Sequence, residues 1–156
     1  MKKIIIIIFL LISLIACAKE HPAENKTALI CVGEISGLSG SSMTSTYNLV
    51  DKELVGYEVV QRIPFELTEA YVEGASVAEV IANTMELYKN WQADQLEYLV
   101  TAEDDNFIHN LKIADIKKAS QLELQAIGLG LDADDNFDPE IIKNSAEANG
   151  LVCEYK

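Results

Sequence analysis

The segment TALICVG, residues 27–33, decides the fold together with LVCEY, residues 151–155, at the opposite end of the chain. Residues 28–32 form an uninterrupted apolar run, which predicts a short buried strand. Alternate residues of the second segment share one face of a predicted closing strand: Leu151, Cys153 and Tyr155. Each strand carries a cysteine, and a bond between Cys31 and Cys153 would place the first and last strands side by side.

The clearest helix signal lies between these strands, in GASVAEVIANTMELYKNWQ, residues 74–92. Ser76 is followed three residues later by Glu79, and this spacing is typical of a capping box at a helix start. Seven side chains at helical spacing then share one face: Val77, Val80, Ile81, Thr84, Met85, Tyr88 and Trp91. The pattern predicts an amphipathic helix over residues 77–91.

A second helix is predicted near the end of the chain. Asp138 and Pro139 are suited to the cap and first position of a helix, and Asn149 with Gly150 is suited to its end. Strands at both ends with amphipathic helices between them predict a single small α+β domain over residues 27–156, stapled by a disulfide.

The remaining segments are less clear. Residues 33–46 are rich in Gly, Ser and Thr, which predicts a loop that is either a connector or a binding loop. A helical turn is expected after residue 47, and then a strand over residues 57–63 that ends at Pro64. A further strand is indicated by the alternation of Leu96, Tyr98 and Val100. Residues 116–119 fit a helical turn. The residues that follow alternate as in a strand: Leu122, Leu124 and Ala126.

The first 17 residues, MKKIIIIIFLLISLIAC, have the pattern of an export signal. Two lysines precede an uncharged apolar run, residues 4–16, which ends in small residues. This run of 13 residues is about 20 Å long as a helix, whereas a bilayer core is about 30 Å thick. The sequence therefore predicts a secretory signal peptide rather than a transmembrane helix.

Four residues end this signal: Leu14, Ile15, Ala16 and Cys17. They resemble the lipobox of bacterial lipoprotein precursors, in which Leu, a small or branched residue, and Ala or Gly precede Cys. The resemblance implies that residues 1–16 are removed, that the Cys17 sulfur carries a diacylglycerol, and that the new amino group is acylated. The alternative is an ordinary signal peptide cut at Ala16 or Ala18, which would leave an incidental free thiol.

The resemblance also has implications for location. The residue after Cys17 is Ala18, whereas Asp at this position favours inner-membrane retention in Gram-negative lipoproteins. We therefore expect an outer-membrane anchor facing the periplasm, held firmly because two or three acyl chains share one residue. Residues 17–26 form the lipidated cysteine and a polar tether, and the nine residues after Cys17 reach about 30 Å when extended.

An export address affects the interpretation of the two remaining cysteines, because thiols are oxidised in the periplasm. A bond between Cys31 and Cys153 would staple the domain at both ends. The alternative is two buried free thiols, since cysteine is a favoured core residue.

The charge of the mature chain limits its partners. Removal of Lys2 and Lys3 with the signal leaves 10 basic against 25 acidic side chains, a formal net charge of −15. Such a surface repels phosphate backbones and excludes nucleic-acid binding, but it attracts a basic protein, a cationic peptide or a cation. The acidity also keeps a periplasmic protein soluble without any specific partner.

An acidic cluster, DADDNFDPE, suggests a calcium loop. Five oxygen-bearing residues occupy alternate positions, as ligands do in such loops: Asp132, Asp134, Asn136, Asp138 and Glu140. However, the sixth position is Phe137 rather than Gly, and the twelfth is Lys143 rather than Glu. The competing interpretation is a solvated turn followed by a helix cap, and no metal or cofactor is predicted.

Catalytic groups are scarce. His109 is the only histidine outside the tether, so a multi-histidine zinc site is excluded. A Ser-His-Asp arrangement would need His109, Asp104 or Asp105, and a serine from residues 36–45. The GLGLDA segment from Gly128 leads into acidic residues that would repel a dinucleotide pyrophosphate.

We therefore expect a lipid-anchored, non-catalytic binding module rather than an enzyme. Its partner would be a basic protein, which the module inhibits or neutralises as an immunity protein does, or an envelope assembly that it joins as an accessory subunit. The alternatives are a small envelope hydrolase that uses an acid pair or His109, and a calcium-dependent module.

Overall fold

A computed structural model describes residues 24–89, 94–126, 129 and 137–156. Six strands form one antiparallel sheet in the order β4-β5-β3-β2-β1-β6. The strands are β1 (Lys26–Gly33), β2 (Ser42–Val50), β3 (Glu53–Pro64), β4 (Leu96–Glu103), β5 (Asn106–Ile113) and β6 (Val152–Tyr155). The helices are α1 (Glu69–Val72), α2 (Val77–Lys89), α3 (Gln121–Ala126) and α4 (Pro139–Ala148), and a 3₁₀ turn covers Phe65–Leu67. The predicted α+β class is confirmed. No helix in these ranges has the length and apolarity needed to cross a bilayer.

One face of the sheet carries the core because side chains alternate between the two faces of each strand. A row of facing residues crosses the sheet on this side: Leu29, Tyr47, Tyr57 and Ile113. Their exposed fractions lie between 0% and 7%. Helical residues pack against the same cluster, among them Leu124, Ile142 and Ala146. The opposite face leaves Val32, Leu99 and Val152 about half exposed or more, at 45%, 54% and 75%.

The predicted staple joins the outermost strand to the first strand. Cys31 lies directly opposite Cys153 in the β1–β6 register, and their sulfur atoms are bonded at 2.08 Å. Ala28 and Lys156 exchange two backbone hydrogen bonds of 2.8 Å beyond the bridge. The prediction of a disulfide rather than two free thiols is therefore confirmed.

The capping box at the start of α2 is present as predicted. The Ser76 N–H donates to the Glu79 carboxylate at 2.8 Å, and the Glu79 N–H donates to the Ser76 hydroxyl at 3.3 Å. Val80 is buried, and the Met85 sulfur accepts the N–H of Val100 at 3.3 Å. Helix α2 therefore covers part of the outer edge of β4. The predicted position of Trp91 lies outside the described residues.

Helix α4 begins and ends where the sequence predicts. The Asp138 side chain accepts the N–H of Glu140 at 2.8 Å, and Pro139 is the first helical residue. Gly150 follows the helix with a φ of 87°, a left-handed conformation that glycine adopts without a steric cost.

The prediction of a loop and a helical turn before residue 57 is partly wrong. Residues 42–50 form strand β2, and a tight turn at Asp51 and Lys52 leads into β3. Both turn residues have positive φ, 50° and 70°, as the turn of a two-residue hairpin requires. The polar composition of β2 hides its period of two, because Ser45 occupies a core position where its hydroxyl lies 3.1 Å from that of Tyr57.

The alternation of Leu122, Leu124 and Ala126 predicted a strand, and this prediction is wrong because residues 121–126 form helix α3. A second capping box starts it, since the N–H of Ser120 donates to Glu123 and the N–H of Glu123 donates to the Ser120 hydroxyl. The Glu123 carboxylate also accepts the N–H of Gln95 at 2.7 Å, although the residue is only 4% exposed. Glu123 therefore ties the start of α3 to the start of β4.

We expect the change Glu123→Gln to destabilise the domain by about 1–3 kcal/mol. One of the two backbone N–H donors then faces the amide NH2 group, which cannot accept a hydrogen bond. Hydrogen bonds from backbone N–H groups, that of Ser120 above all, lower the pKa of Glu123. A lowered pKa stabilises the fold above the unfolded value of 4.5 and the contribution disappears as pH falls through the folded value. Urea unfolding at pH 7 and pH 3 measures this. The difference between wild type and variant shrinks at pH 3, and an unchanged difference would contradict the assignment.

Candidate binding cleft

A cleft of about 1140 Å³ opens at one end of the sheet. Five segments of the described chain line it: the start of β1, the β2–β3 turn, the residues after β5, the start of α4 and the end of β6. Its lining comprises Asn25, Thr27, Leu49, Asp51, Lys52, Glu53, Leu54, Ile116, Lys117, Phe137, Asp138, Pro139, Glu140 and Tyr155.

The floor of the cleft is apolar and is part of the packed core. Leu49, Leu54 and Ile116 belong to the core, with 3–4% of each residue exposed. The N–H of Ile116 donates to the carbonyl of Val55 at 2.9 Å, which fixes the chain after β5 against β3. Phe137 packs against the same cluster from the side of α4. An apolar group that enters the cleft would contact mainly Phe137 and Pro139, which are half buried, with the core residues beneath them.

The β2–β3 turn forms one wall and is held by the chain that leads into β1. The N–H of Asn25 donates to the Asp51 carboxylate at 3.3 Å, and the N–H of Asp51 donates to the Asn25 carbonyl at 3.1 Å. Next to this turn, the Lys117 ammonium donates to Glu53 at 2.6 Å. This hydrogen bond and the charge of Lys117 lower the pKa of Glu53, so Glu53 is ionised at neutral pH.

The start of α4 forms the opposite wall. Asp138 caps the helix, and the Tyr155 hydroxyl donates a hydrogen bond to the Glu140 carboxylate with 2.8 Å between the two oxygens. Partial burial, followed by the hydrogen bond and charge of Glu140, raises the pKa of Tyr155 to about 12. Tyr155 therefore stays a neutral donor at physiological pH and connects β6 to α4.

The rim of the cleft has an excess of negative charge. Four carboxylates and two lysines are among its described lining residues: Asp51, Glu53, Asp138, Glu140, Lys52 and Lys117. Because these carboxylates surround an apolar floor, the cleft combines attraction for a cation with a surface for an apolar anchor.

Only part of the predicted calcium ligands can be placed. Asp138 and Glu140 lie in the wall of the cleft, while Asp132, Asp134 and Asn136 lie outside the described residues. Within the described ranges, no three His, Cys, Asp or Glu side chains are grouped as metal ligands. The capping bond of Asp138 agrees with the competing interpretation of a turn and helix cap.

His109 lies on the face of β5 that also carries the buried residues Phe107 and Leu111. Its Nδ1 and the Tyr98 hydroxyl are 2.7 Å apart and share a hydrogen bond. Burial lowers the pKa of His109. Asp104 and Asp105 form the β4–β5 turn with positive φ, so they have a role in chain reversal.

The serines of residues 36–45 also have structural partners. The Ser41 hydroxyl donates to the Leu38 carbonyl at 2.6 Å and accepts the N–H of Ile35 at 3.2 Å. Ser45 is buried beside the Tyr57 hydroxyl. Among the described residues, these hydroxyls organise the β1–β2 loop and the core. Cys17, the predicted lipidation site, lies outside the described residues.

No family model and no curated protein matches the chain. Two solved structures resemble it. The NMR structure of the Escherichia coli protein YehR has a TM-score of 0.58 and 21% identity, over 83% of this chain and 90% of that one. The NMR structure of a protein from Streptococcus pneumoniae TIGR4 has a TM-score of 0.55 and 13% identity, over 83% and 86%. At these identities the likeness concerns the fold alone.

Proposed function

We propose that the protein is a lipid-anchored envelope lipoprotein that acts as a non-catalytic binding module for a basic partner, with the acidic cleft as its binding site. The observation that carries this proposal is a rim with four carboxylates against two lysines, next to an apolar surface that includes the half-buried Phe137 and Pro139. The partner contributes Lys or Arg side chains to the rim and an apolar side chain to the floor. Within this class, it is a basic envelope protein or toxin that the module restrains, or a basic subunit of an envelope assembly.

The charge of the whole molecule supports the same partner. A formal net charge of −15 on the mature chain accelerates encounter with a basic surface and raises its local concentration. The rim then aligns the partner at one place on an otherwise acidic surface. Both contributions weaken as salt screens exposed charges.

The anchor follows from the lipobox-like residues that end at Cys17. Two or three acyl chains bury many methylenes at about 0.8 kcal/mol each, which holds the module at the membrane. An anchored module needs no catalysis to act, because it can retain or block a partner at the envelope surface by contact.

A matched pair of double variants tests the binding site. Asp51→Asn with Glu140→Gln removes two rim charges while keeping the turn conformation, which Asn tolerates, and an acceptor for Tyr155. Glu66→Gln with Glu73→Gln removes the same charge beyond the far end of β3, about 35 Å away along the strand. An exposed ion pair contributes about 0.2–1 kcal/mol, so losing two rim charges lowers partner affinity about two- to thirtyfold.

The measurement is a pulldown from detergent-solubilised envelopes at low and high salt, with each bait isolated from membranes. We expect one basic protein to be enriched by wild type and the Glu66/Glu73 variant at low salt, and to be lost with the cleft variant. Equal loss of the enriched protein with both variants would reject the cleft as the binding site. Mass spectrometry of the same bait should find a lipid-modified Cys17, and an unmodified thiol or uncleaved leader would reject the anchor.

A further inference from the structure

The tether enters the folded domain at the mouth of the cleft. The two backbone-mediated bonds between Asn25 and Asp51 fix the chain immediately before β1 to the turn that forms one cleft wall. Asn25 and Thr27 are themselves lining residues. The position of the cleft relative to residue 17 is therefore limited by the length of the connecting chain.

This length places the cleft close to the bilayer. Eight residue steps separate Cys17 from Asn25, and a fully extended chain of that length spans about 28 Å at most. Strand β3 alone, with 12 residues, is about 40 Å long, so the two ends of the sheet differ in how far they can lie from the membrane. A lipid on Cys17 keeps the cleft end within about 30 Å of the headgroups.

The chemistry of the cleft matches ligands that accumulate on such a surface. Cationic amphipathic peptides bind anionic membranes through Lys and Arg on one face and apolar side chains on the other. The cleft offers the same two elements, carboxylates at the rim and an apolar surface to which the half-buried Phe137 and Pro139 contribute. Its volume of about 1140 Å³ exceeds the roughly 300–1000 Å³ of small-molecule pockets, so it has room for a peptide segment.

We propose that the cleft captures cationic amphipathic peptides at the membrane surface, in competition with anionic lipid. The inference rests on the proposed function, because it requires both the lipid on Cys17 and a cation-binding cleft. It adds the class of ligand and the place of capture. A second copy of this chain is a poor occupant of the cleft, since two domains of the same strong negative charge repel each other.

The test uses the mature chain with its disulfide intact, so that Cys17 is the one reactive thiol. Cys17 is coupled to a maleimide lipid in dye-filled vesicles of phosphatidylethanolamine and phosphatidylglycerol. The probe is a synthetic amphipathic helix of leucine and lysine. We expect tethered wild type to raise the peptide concentration for half-maximal dye release about threefold or more, because tethering raises the effective concentration of the cleft.

Three controls separate the possible outcomes. Tethered Asp51→Asn/Glu140→Gln protects less than wild type, whereas tethered Glu66→Gln/Glu73→Gln protects as wild type does. An untethered Cys17→Ser chain at the same total concentration protects much less. A lysine–serine peptide of equal charge binds the Cys17→Ser chain at least tenfold more weakly than the leucine–lysine helix, and equal affinity would reject the amphipathic ligand.

The two proposals fail differently. If the leucine–lysine helix binds the Cys17→Ser chain in solution but tethering adds no protection, the membrane-surface inference is rejected and the binding module stands. If no cationic peptide binds in solution, and the pulldown enriches a basic protein through the cleft, the ligand class is rejected in favour of a folded partner. If neither experiment shows cleft-dependent binding, the proposed function is rejected as well.

Discussion

Reducing the Cys31–Cys153 disulfide lowers the free energy of unfolding by about 4–5 kcal/mol. The bridge joins residues 122 positions apart, and a cross-link of that span restricts the unfolded chain strongly in the chain-entropy treatment. Because small domains are stable by only about 5–15 kcal/mol, this is a large share of the total. At roughly 4 °C per kcal/mol for a chain of this size, the melting temperature falls by about 15–20 °C.

Guanidinium unfolding of the oxidised and reduced protein measures the effect, with Cys17→Ser in both samples so that no third thiol can exchange. The double variant Cys31→Ala/Cys153→Ala is the control for packing, because Cys31 is fully buried and its loss removes core contacts as well. Reduced protein should be more stable than this variant and far less stable than oxidised protein. Superimposable unfolding curves with and without reductant would contradict the prediction.

After reduction, the loss of protection from hydrogen exchange should begin at one edge of the sheet. Strand β6 has four residues, and within the described part of the chain it pairs only with β1, so few backbone hydrogen bonds hold it. Hydrogen exchange after reduction should therefore accelerate first at β6, whose neighbour α4 packs on it, and last at β2 and β3 in the middle of the sheet. Uniform acceleration across all strands would indicate that the bridge acts only on global unfolding.

The elements that the sequence predicts correctly have strong local signals. Each of these signals specifies structure within a few residues. They are the capping box at Ser76 and Glu79, the cap and proline at Asp138 and Pro139, and the apolar run around Cys31. Local preference and final packing agree at these places, so the segment alone is sufficient to predict the element.

Strand β2 was missed because tertiary packing decides its structure. Its core face carries Met43, Ser45, Tyr47 and Leu49. Ser45 and the neighbouring threonines give this segment the polar composition of a loop. Ser45 is tolerated in the core because it faces the hydroxyl of Tyr57, a partner from the next strand. The turn at Asp51 and Lys52 lacks the glycine that normally marks such hairpins.

Helix α3 has a start signal in its sequence. Ser120 and Glu123 have the same spacing as Ser76 and Glu79, and the same capping box could have been predicted from it. The cleft has no comparable signal. Its walls come from five segments spread over residues 25–155, and each carboxylate resembles an ordinary surface acid until the fold brings them together.

Phe107→Ala should cost about 3–5 kcal/mol, the usual range for deleting a buried phenyl ring. Phe107 is 1% exposed at the start of β5. Its ring centroid lies 4.5 Å from that of Phe65 and 6.3 Å from that of Tyr71, so it connects the sheet to the 3₁₀ turn and α1. The cavity left by alanine removes the surface on which this helical segment packs.

The matched control is Leu99→Ala on the neighbouring strand, because Leu99 is 54% exposed on the open face of the sheet. We expect it to cost less than about 1 kcal/mol in urea unfolding. Phe107→Leu refills part of the cavity and should fall between the two. The cleft lies at the other end of β3. The Phe107→Leu variant should therefore bind peptide as wild type does under conditions in which the variant is folded. Equal destabilisation by Phe107→Ala and Leu99→Ala would show that the aromatic group does not anchor this end of the sheet.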